Sequence, residues 1–91
     1  MELKNKVALI TGGNSGIGFG TAKRMIEEGA FVYIPGRNQT TLDTAAETLG
    51  DQAHAIRADV TSKTEMQAVA DSIREKHGRI DIVFANAGAA W

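Results

Sequence analysis

Residues 7–18, Val-Ala-Leu-Ile-Thr-Gly-Gly-Asn-Ser-Gly-Ile-Gly, constrain this chain more tightly than any other stretch. Four consecutive apolar residues end at a threonine, a glycine turn follows, and the residues beyond it fit the first turn of a helix. A strand that turns directly into a helix leaves the first backbone N–H groups of that helix unpaired and aimed at one point. The positive end of the helix dipole stands behind them. Such a junction is a place for a phosphate. Gly12 supplies a backbone conformation that other residues resist, and Gly16 and Gly18 let the main chain approach a diphosphate and a neighbouring strand. Five of the ten glycines fall between residues 12 and 20. A glycine-rich turn is also, by itself, simply a tight connection. Its place between a strand and a helix, inside a βαβ unit, selects the phosphate reading.

The rest of the chain repeats that unit. Apolar runs at 7–10, 31–34, 53–58 and 80–85 have strand character, and the first, second and fourth are nearly continuous, as in a parallel sheet covered on both faces. Helical patterns alternate with them. Residues 16–28 carry Ile17, Ala22, Met25 and Ile26 as the apolar face, with Gly29 as the stop. Residues 39–49 carry Leu42, Ala45, Ala46 and Leu49 before Gly50, and residues 63–76 carry Met66, Val69, Ala70 and Ile73 before Gly78. The last helix opens on Ser62-Lys63-Thr64-Glu65, a capping box. The order βαβαβαβ with right-handed crossovers predicts an α/β fold, the first half of a Rossmann-like, doubly wound parallel sheet with strand order 3-2-1-4. Pattern alone leaves other wirings open. A length of 91 residues predicts one unit, residues 1–91, and no second domain.

Composition excludes several classes of function. A net charge of -1 provides no basic field for nucleic acid. The absence of cysteine removes disulfides and thiolate metal sites and suits a cytoplasmic location. No apolar run approaches the ~20 residues of a membrane span, and the four apolar residues after Lys6 are too few for a signal peptide. His54 begins a strand and His77 ends a helix, where a cation suits the dipole; neither is expected to act in catalysis or to hold a metal.

The spacing Thr11-Gly12-x-x-x-Gly16-x-Gly18 resembles the glycine turn of the short-chain dehydrogenase/reductase family. Asp59-Val60 after the third strand, Asn86-Ala87-Gly88 after the fourth, and the opening at residues 3–11 resemble that family in the same order, so the likeness covers essentially the whole chain. It implies that Gly12, Asn14, Ser15 and Ile17, with the close-approach glycines Gly16 and Gly18, line the pyrophosphate and adenosine ribose of a nicotinamide cofactor. It also implies that Asp59 accepts a hydrogen bond from the adenine amino group while the Val60 N–H serves a ring nitrogen. Asn86, Ala87 and Gly88 would hold the fourth strand and lie against the riboses. The plainer readings are that Asp59 leads into the following helix and that Asn86 forms a turn beside Gly88.

After the second strand the dinucleotide fingerprint usually carries an acid that bonds the ribose diol in NAD enzymes. Here that position is Gly36, followed by Arg37 and Asn38. No carboxylate is present to repel a 2′-phosphate, and a guanidinium is present to grip one, a contact worth roughly 1.5–3 kcal/mol. NADP is therefore expected in preference to NAD. A solvated loop arginine is the plainer alternative, and Ser15 stands where some NADP-preferring relatives carry a basic residue. Pro35 is unusual at this strand end because it cannot donate to a ladder.

The resemblance implies a catalytic tyrosine with a lysine four residues on, a serine and an asparagine, all beyond the Asn-Ala-Gly turn. Tyr33 lies inside the second strand and is followed four residues later by Arg37, so no such constellation forms. The expected role is the dinucleotide-binding half of an NADP-dependent oxidoreductase that acts on a small alcohol or carbonyl compound in a longer form, with no activity in these 91 residues. A stand-alone nucleotide-binding module and a purely structural fragment are the alternatives. The fourth strand is expected to be an open edge exposing Ile82, Val83 and Phe84, so that the chain either is a piece of a larger protein or forms a homo-oligomer by edge pairing.

Overall fold

The computed structural model describes residues 2–12 and 16–85. Strands β1 (Val7–Thr11), β2 (Phe31–Gly36), β3 (Ala53–Arg57) and β4 (Ile82–Ala85) alternate with helices α1 (Gly16–Glu27), α2 (Gln39–Leu49) and α3 (Lys63–His77). All neighbouring strands are parallel and the order is β3-β2-β1-β4, as the βα alternation requires. Side chains alternate across the strands, so β1, β2 and β3 each feed two cores. Val7, Leu9 and Tyr33 pack with Met66, Val69 and Ile73 of α3 on one face. Ala8, Ile10, Val32 and Ile34 pack with Ala22 of α1 and Leu42 of α2 on the other. Ile10, Ile34, Leu42 and Ile73 are fully buried, each worth about 1.5–3 kcal/mol of burial.

The helix ends are where the glycines place them. Gly78 adopts a left-handed conformation (φ 81°) and its N–H bonds the Arg74 carbonyl, while the Gly50 N–H closes α2 on Ala46. Three expectations need correction. Ile17 does not join the core face of α1: it is 74% exposed, whereas Gly18 and Ala22 are buried. At 100° per residue, a helix that turns Gly18 and Ala22 to the sheet turns Ile17 away. The fourth strand begins at Ile82 and not at residue 80, because Asp81 is held by β1 in a clasp. Its backbone N–H bonds the Val7 carbonyl at 2.9 Å and its carboxylate accepts the Val7 N–H at 2.8 Å. Arg79 bonds the same carboxylate at 3.0 Å and reaches the Asn5 carbonyl. The Val7 N–H first, and the Arg79 guanidinium after it, hold the Asp81 carboxyl below the usual carboxylate range. Finally, the apolar patch on β4 is smaller than expected. Val83 is 55% exposed, but Ile82 and Phe84 are half-buried against the α1 and α2 side of the sheet.

Pro35 fits its strand for a geometric reason. The Phe31 N–H bonds the Lys6 carbonyl just before β1, whereas the Val32 N–H bonds the Gln52 carbonyl on the other side, so odd positions of β2 face β1. Pro35 therefore withholds a donor only from β1, beyond the last β1–β2 pair at Leu9↔Tyr33. There the two strands part, at the end of the sheet where the glycine turn begins.

Candidate dinucleotide site

Four carboxyl-terminal strand ends meet at one edge of the sheet. At β1, Thr11 is fully buried and Gly12 turns the chain with φ 71°. Gly16 opens α1 with φ 56°, a conformation that an L side chain rarely adopts, although a Cβ there would meet nothing within 4 Å. Backbone conformation, and not crowding, is what position 16 demands of glycine. The first-turn N–H groups of α1 have no intrahelical acceptor, and no acidic residue stands in that turn to neutralise it. The other two helices carry side-chain caps. The Asn38 side chain caps α2 by accepting the Thr41 N–H at 3.1 Å. At α3, Ser62 accepts the Glu65 N–H at 3.2 Å. Ile17 projects from the α1 junction as an exposed apolar side chain, suited to cover a ligand face.

At β2 the chain leaves through Gly36, Arg37 and Asn38. A Cβ on Gly36 would lie 3.1 Å from the Cδ2 of Leu42. Arg37 is exposed. Because Asn38 spends its Oδ1 on the helix cap, its amide nitrogen is the group left to reach a ligand.

At β3 the loop is knitted by its own side chains. The Ala58 N–H bonds the Gly36 carbonyl at 2.7 Å, extending the β2–β3 ladder. The Asp59 N–H is bound by the Glu65 carboxylate at 3.0 Å, and the Ser62 N–H bonds the Asp59 carbonyl at 3.0 Å. The capping box is thus only half as expected: Ser62 caps α3, but Glu65 reaches back to Asp59 and not to Ser62. One Asp59 carboxylate oxygen accepts both the N–H (2.9 Å) and the hydroxyl (2.6 Å) of Thr61. These Thr61 bonds foremost, with the nearby Arg37 charge, keep the Asp59 carboxyl below its usual range. Asp59 therefore does lead the chain into α3, and its second oxygen makes no hydrogen bond with a described residue. Val60 packs at the margin of the α3-side core.

Arg37, Arg57, Ala58, Asp59 and Glu65 together line an open cleft of about 280 Å³. Arg57 is the member that the sequence reading missed. Its one signal was position, two residues before Asp59 at the end of an apolar run. The β1–β4 pair Thr11↔Ala85 ends β4 beside the exit of β1. Asn14, Ser15, Asn86, Ala87 and Gly88 lie outside the described residues.

The remaining ionisable aromatic groups gather elsewhere, at the amino-terminal half of the sheet. Tyr33 stacks on His54 with ring centroids 4.8 Å apart, and its hydroxyl is 2.6 Å from His77 Nε2. Burial raises the Tyr33 pKa and lowers that of His54. No described helix is long and apolar enough to cross a membrane.

A family model described as short chain dehydrogenase matches residues 6–91. The chain is 48% identical over 88 residues to a Sarocladium schorii protein named oxidoreductase asL5, covering 97% of this chain and 35% of that protein. Among solved structures, a short chain dehydrogenase from Bacillus anthracis superposes with a TM-score of 0.88 at 41% identity, over 93% of this chain and 35% of that one. A Brucella melitensis 3-ketoacyl-(acyl-carrier-protein) reductase complexed with NADH superposes with a TM-score of 0.80 at 40% identity, over 89% of this chain and 34% of that one. The chain thus spans about 35% of the length of these proteins.

Proposed function

The chain belongs to the short-chain dehydrogenase/reductase family, and from that premise we propose that residues 1–91 act as one dinucleotide-binding unit of an NADP-dependent oxidoreductase. The observation that carries the reading is the junction of β1 and α1, where Gly12 and Gly16 take positive φ and no acid occupies the first helical turn. Those features fit a diphosphate. Gly12, Asn14, Ser15, Gly16, Ile17 and Gly18 would hold the diphosphate and the adenosine ribose. Asp59, whose second carboxylate oxygen bonds no described residue, and the Val60 N–H would take the adenine edge, and Asn86, Ala87 and Gly88 would face the riboses. When bound, the nicotinamide supplies or accepts the hydride that interconverts a carbonyl compound and an alcohol. Within residues 1–91 the assignment is cofactor binding only; a small alcohol or carbonyl substrate is proposed for the longer enzyme form.

Preference for NADP over NAD is supported by what stands after β2. Gly36 offers no carboxylate to the ribose diol, and Arg37 makes no hydrogen bond or ion pair with a described residue. The competing NAD reading draws on the NADH bound by the Brucella melitensis neighbour. Fluorescence titration with NADPH and NADH decides between them. The expected result is NADPH binding tighter by tenfold or more, with the advantage lost in Arg37→Asp. Equal affinities would refute NADP preference, and failure of both cofactors to bind would refute the dinucleotide reading. Saturable binding without carbonyl reduction by the longest natural form would favour a non-catalytic nucleotide-binding module instead.

A further inference from the structure

We infer that Arg57 is a second binding residue for the cofactor's 2′-phosphate, closing on it from β3 as Arg37 closes on it from the β2 exit. This rests on the NADP reading above. Register supplies the first argument. Arg57 pairs directly with Gly36, the position from which an acid would otherwise reach the ribose. Direction supplies the second. On β3, Ile56 packs with the α3-side core and Ala55 with the opposite one, so Arg57 leaves the sheet on the same side as Ala55. A Cβ on Gly36 would point to that side too, towards Leu42 of α2. Arg57 therefore leaves β3 on the face to which a Gly36 Cβ would point, and both arginines line the same cleft.

Charge supplies the third argument. The ion pairs among described residues are Arg24–Glu28, Arg74–Asp71 and Arg79–Asp81, and neither Arg37 nor Arg57 makes one. Neither makes a hydrogen bond to a described residue. Each of the two acids on the cleft wall spends one carboxylate oxygen on building the loop: Glu65 holds the Asp59 N–H, and Asp59 holds Thr61. Two guanidinium forks that make no hydrogen bond or ion pair among the described residues thus share one wall with partly spent carboxylates, the Arg37 charge also acting on Asp59. A phosphate monoester carries roughly -1.5 to -2 charge at neutral pH and three acceptor oxygens, enough for both forks. A plainer role for Arg57 is to discourage edge pairing, since β3 is an outer strand. That role makes no distinction between nucleotides.

Calorimetric titration of the full chain with 2′,5′-ADP and with 5′-AMP separates these roles. Arg57 is exposed, so the Arg57→Gln fold is expected to survive, as a circular-dichroism melt verifies. The inference predicts that Arg57→Gln weakens 2′,5′-ADP about tenfold and leaves 5′-AMP within about twofold. Arg57→Lys should retain part of the discrimination. Equal losses for both nucleotides, or no loss for either, would overturn it. If the wild type favours 2′,5′-ADP and Arg37→Gln removes that preference while Arg57→Gln does not, Arg57 is excluded and the NADP reading stands. If the wild type does not distinguish the two nucleotides, both fall together.

Discussion

Replacing Gly36 by aspartate tests the cofactor assignment and the local packing at once. The new carboxylate would stand at the end of β2, beside Arg37 in sequence and opposite Arg57 in register. It would offer acceptors to a ribose diol and repel a 2′-phosphate. Losing one charge-assisted contact costs roughly 1.5–3 kcal/mol, and gaining one to the diol acts in the same direction. The ratio of NADPH to NADH affinity should therefore swing by at least about a hundredfold. Packing adds a separate cost. The Cβ would sit 3.1 Å from Leu42 Cδ2, and Leu42 is fully buried, so its side chain must yield by a few tenths of an ångström. Such overpacking costs on the order of 1 kcal/mol, or about 4–8 °C in Tm for a chain of this size. Gly36→Ala adds the same Cβ without the charge, and so separates the two effects. It should lower the Tm by a similar amount and leave the cofactor ratio unchanged. Fluorescence titration and thermal melts of both variants supply the numbers. An unchanged ratio in a folded Gly36→Asp variant would refute the reasoning.

Three further outcomes follow from named contacts. Ile73→Ala, which empties a fully buried position under β1 and β2, should lower urea stability by about 2–5 kcal/mol while nucleotide affinity of the folded fraction holds. Asn38→Ala removes the α2 cap and should cost about 0.5–2 kcal/mol, seen as faster amide exchange in the first turn of α2. His54 sets a pH dependence: burial first, then the charges of Lys76 and His77, lower its pKa below 6.5. The unfolded chain takes that proton first, so this stability is in place above about pH 6.5 and declines as the pH falls towards the folded value. Urea midpoints should decline below that pH in the wild type and less steeply in His54→Phe; identical slopes would remove His54 as the cause.

The strand order was legible because parallel strands need crossovers and crossovers are right-handed. Helix ends were legible at Gly50 and Gly78, where a local residue decides a local conformation. The failures have two other causes, contacts distant in sequence and the phase of a helix. The Asp81 clasp joins residues 74 apart in sequence, and nothing near Asp81 announces Val7 as its partner. Ile17 was placed on the core face because its hydrophobicity outweighed its phase, whereas the face is set by the small residues Gly18 and Ala22. Arg57 reads in sequence as a strand-end surface charge, and only its register with Gly36 brings it to the cleft. The meeting of Tyr33, His54 and His77 likewise depends on the Tyr33↔His54 pair and on where α3 ends.

The central claim is that the junction of β1 and α1 receives the cofactor's diphosphate. Amide chemical shifts of the isotope-labelled chain, followed during addition of NADP, test it most directly. The account predicts the largest movements at Gly12, Gly16, Ile17 and Gly18, with smaller ones at Arg37, Arg57 and Asp59. Movements concentrated instead in the groove between α1 and α2, at Phe19, Thr44 and Thr48, with the glycine turn unmoved, would contradict it.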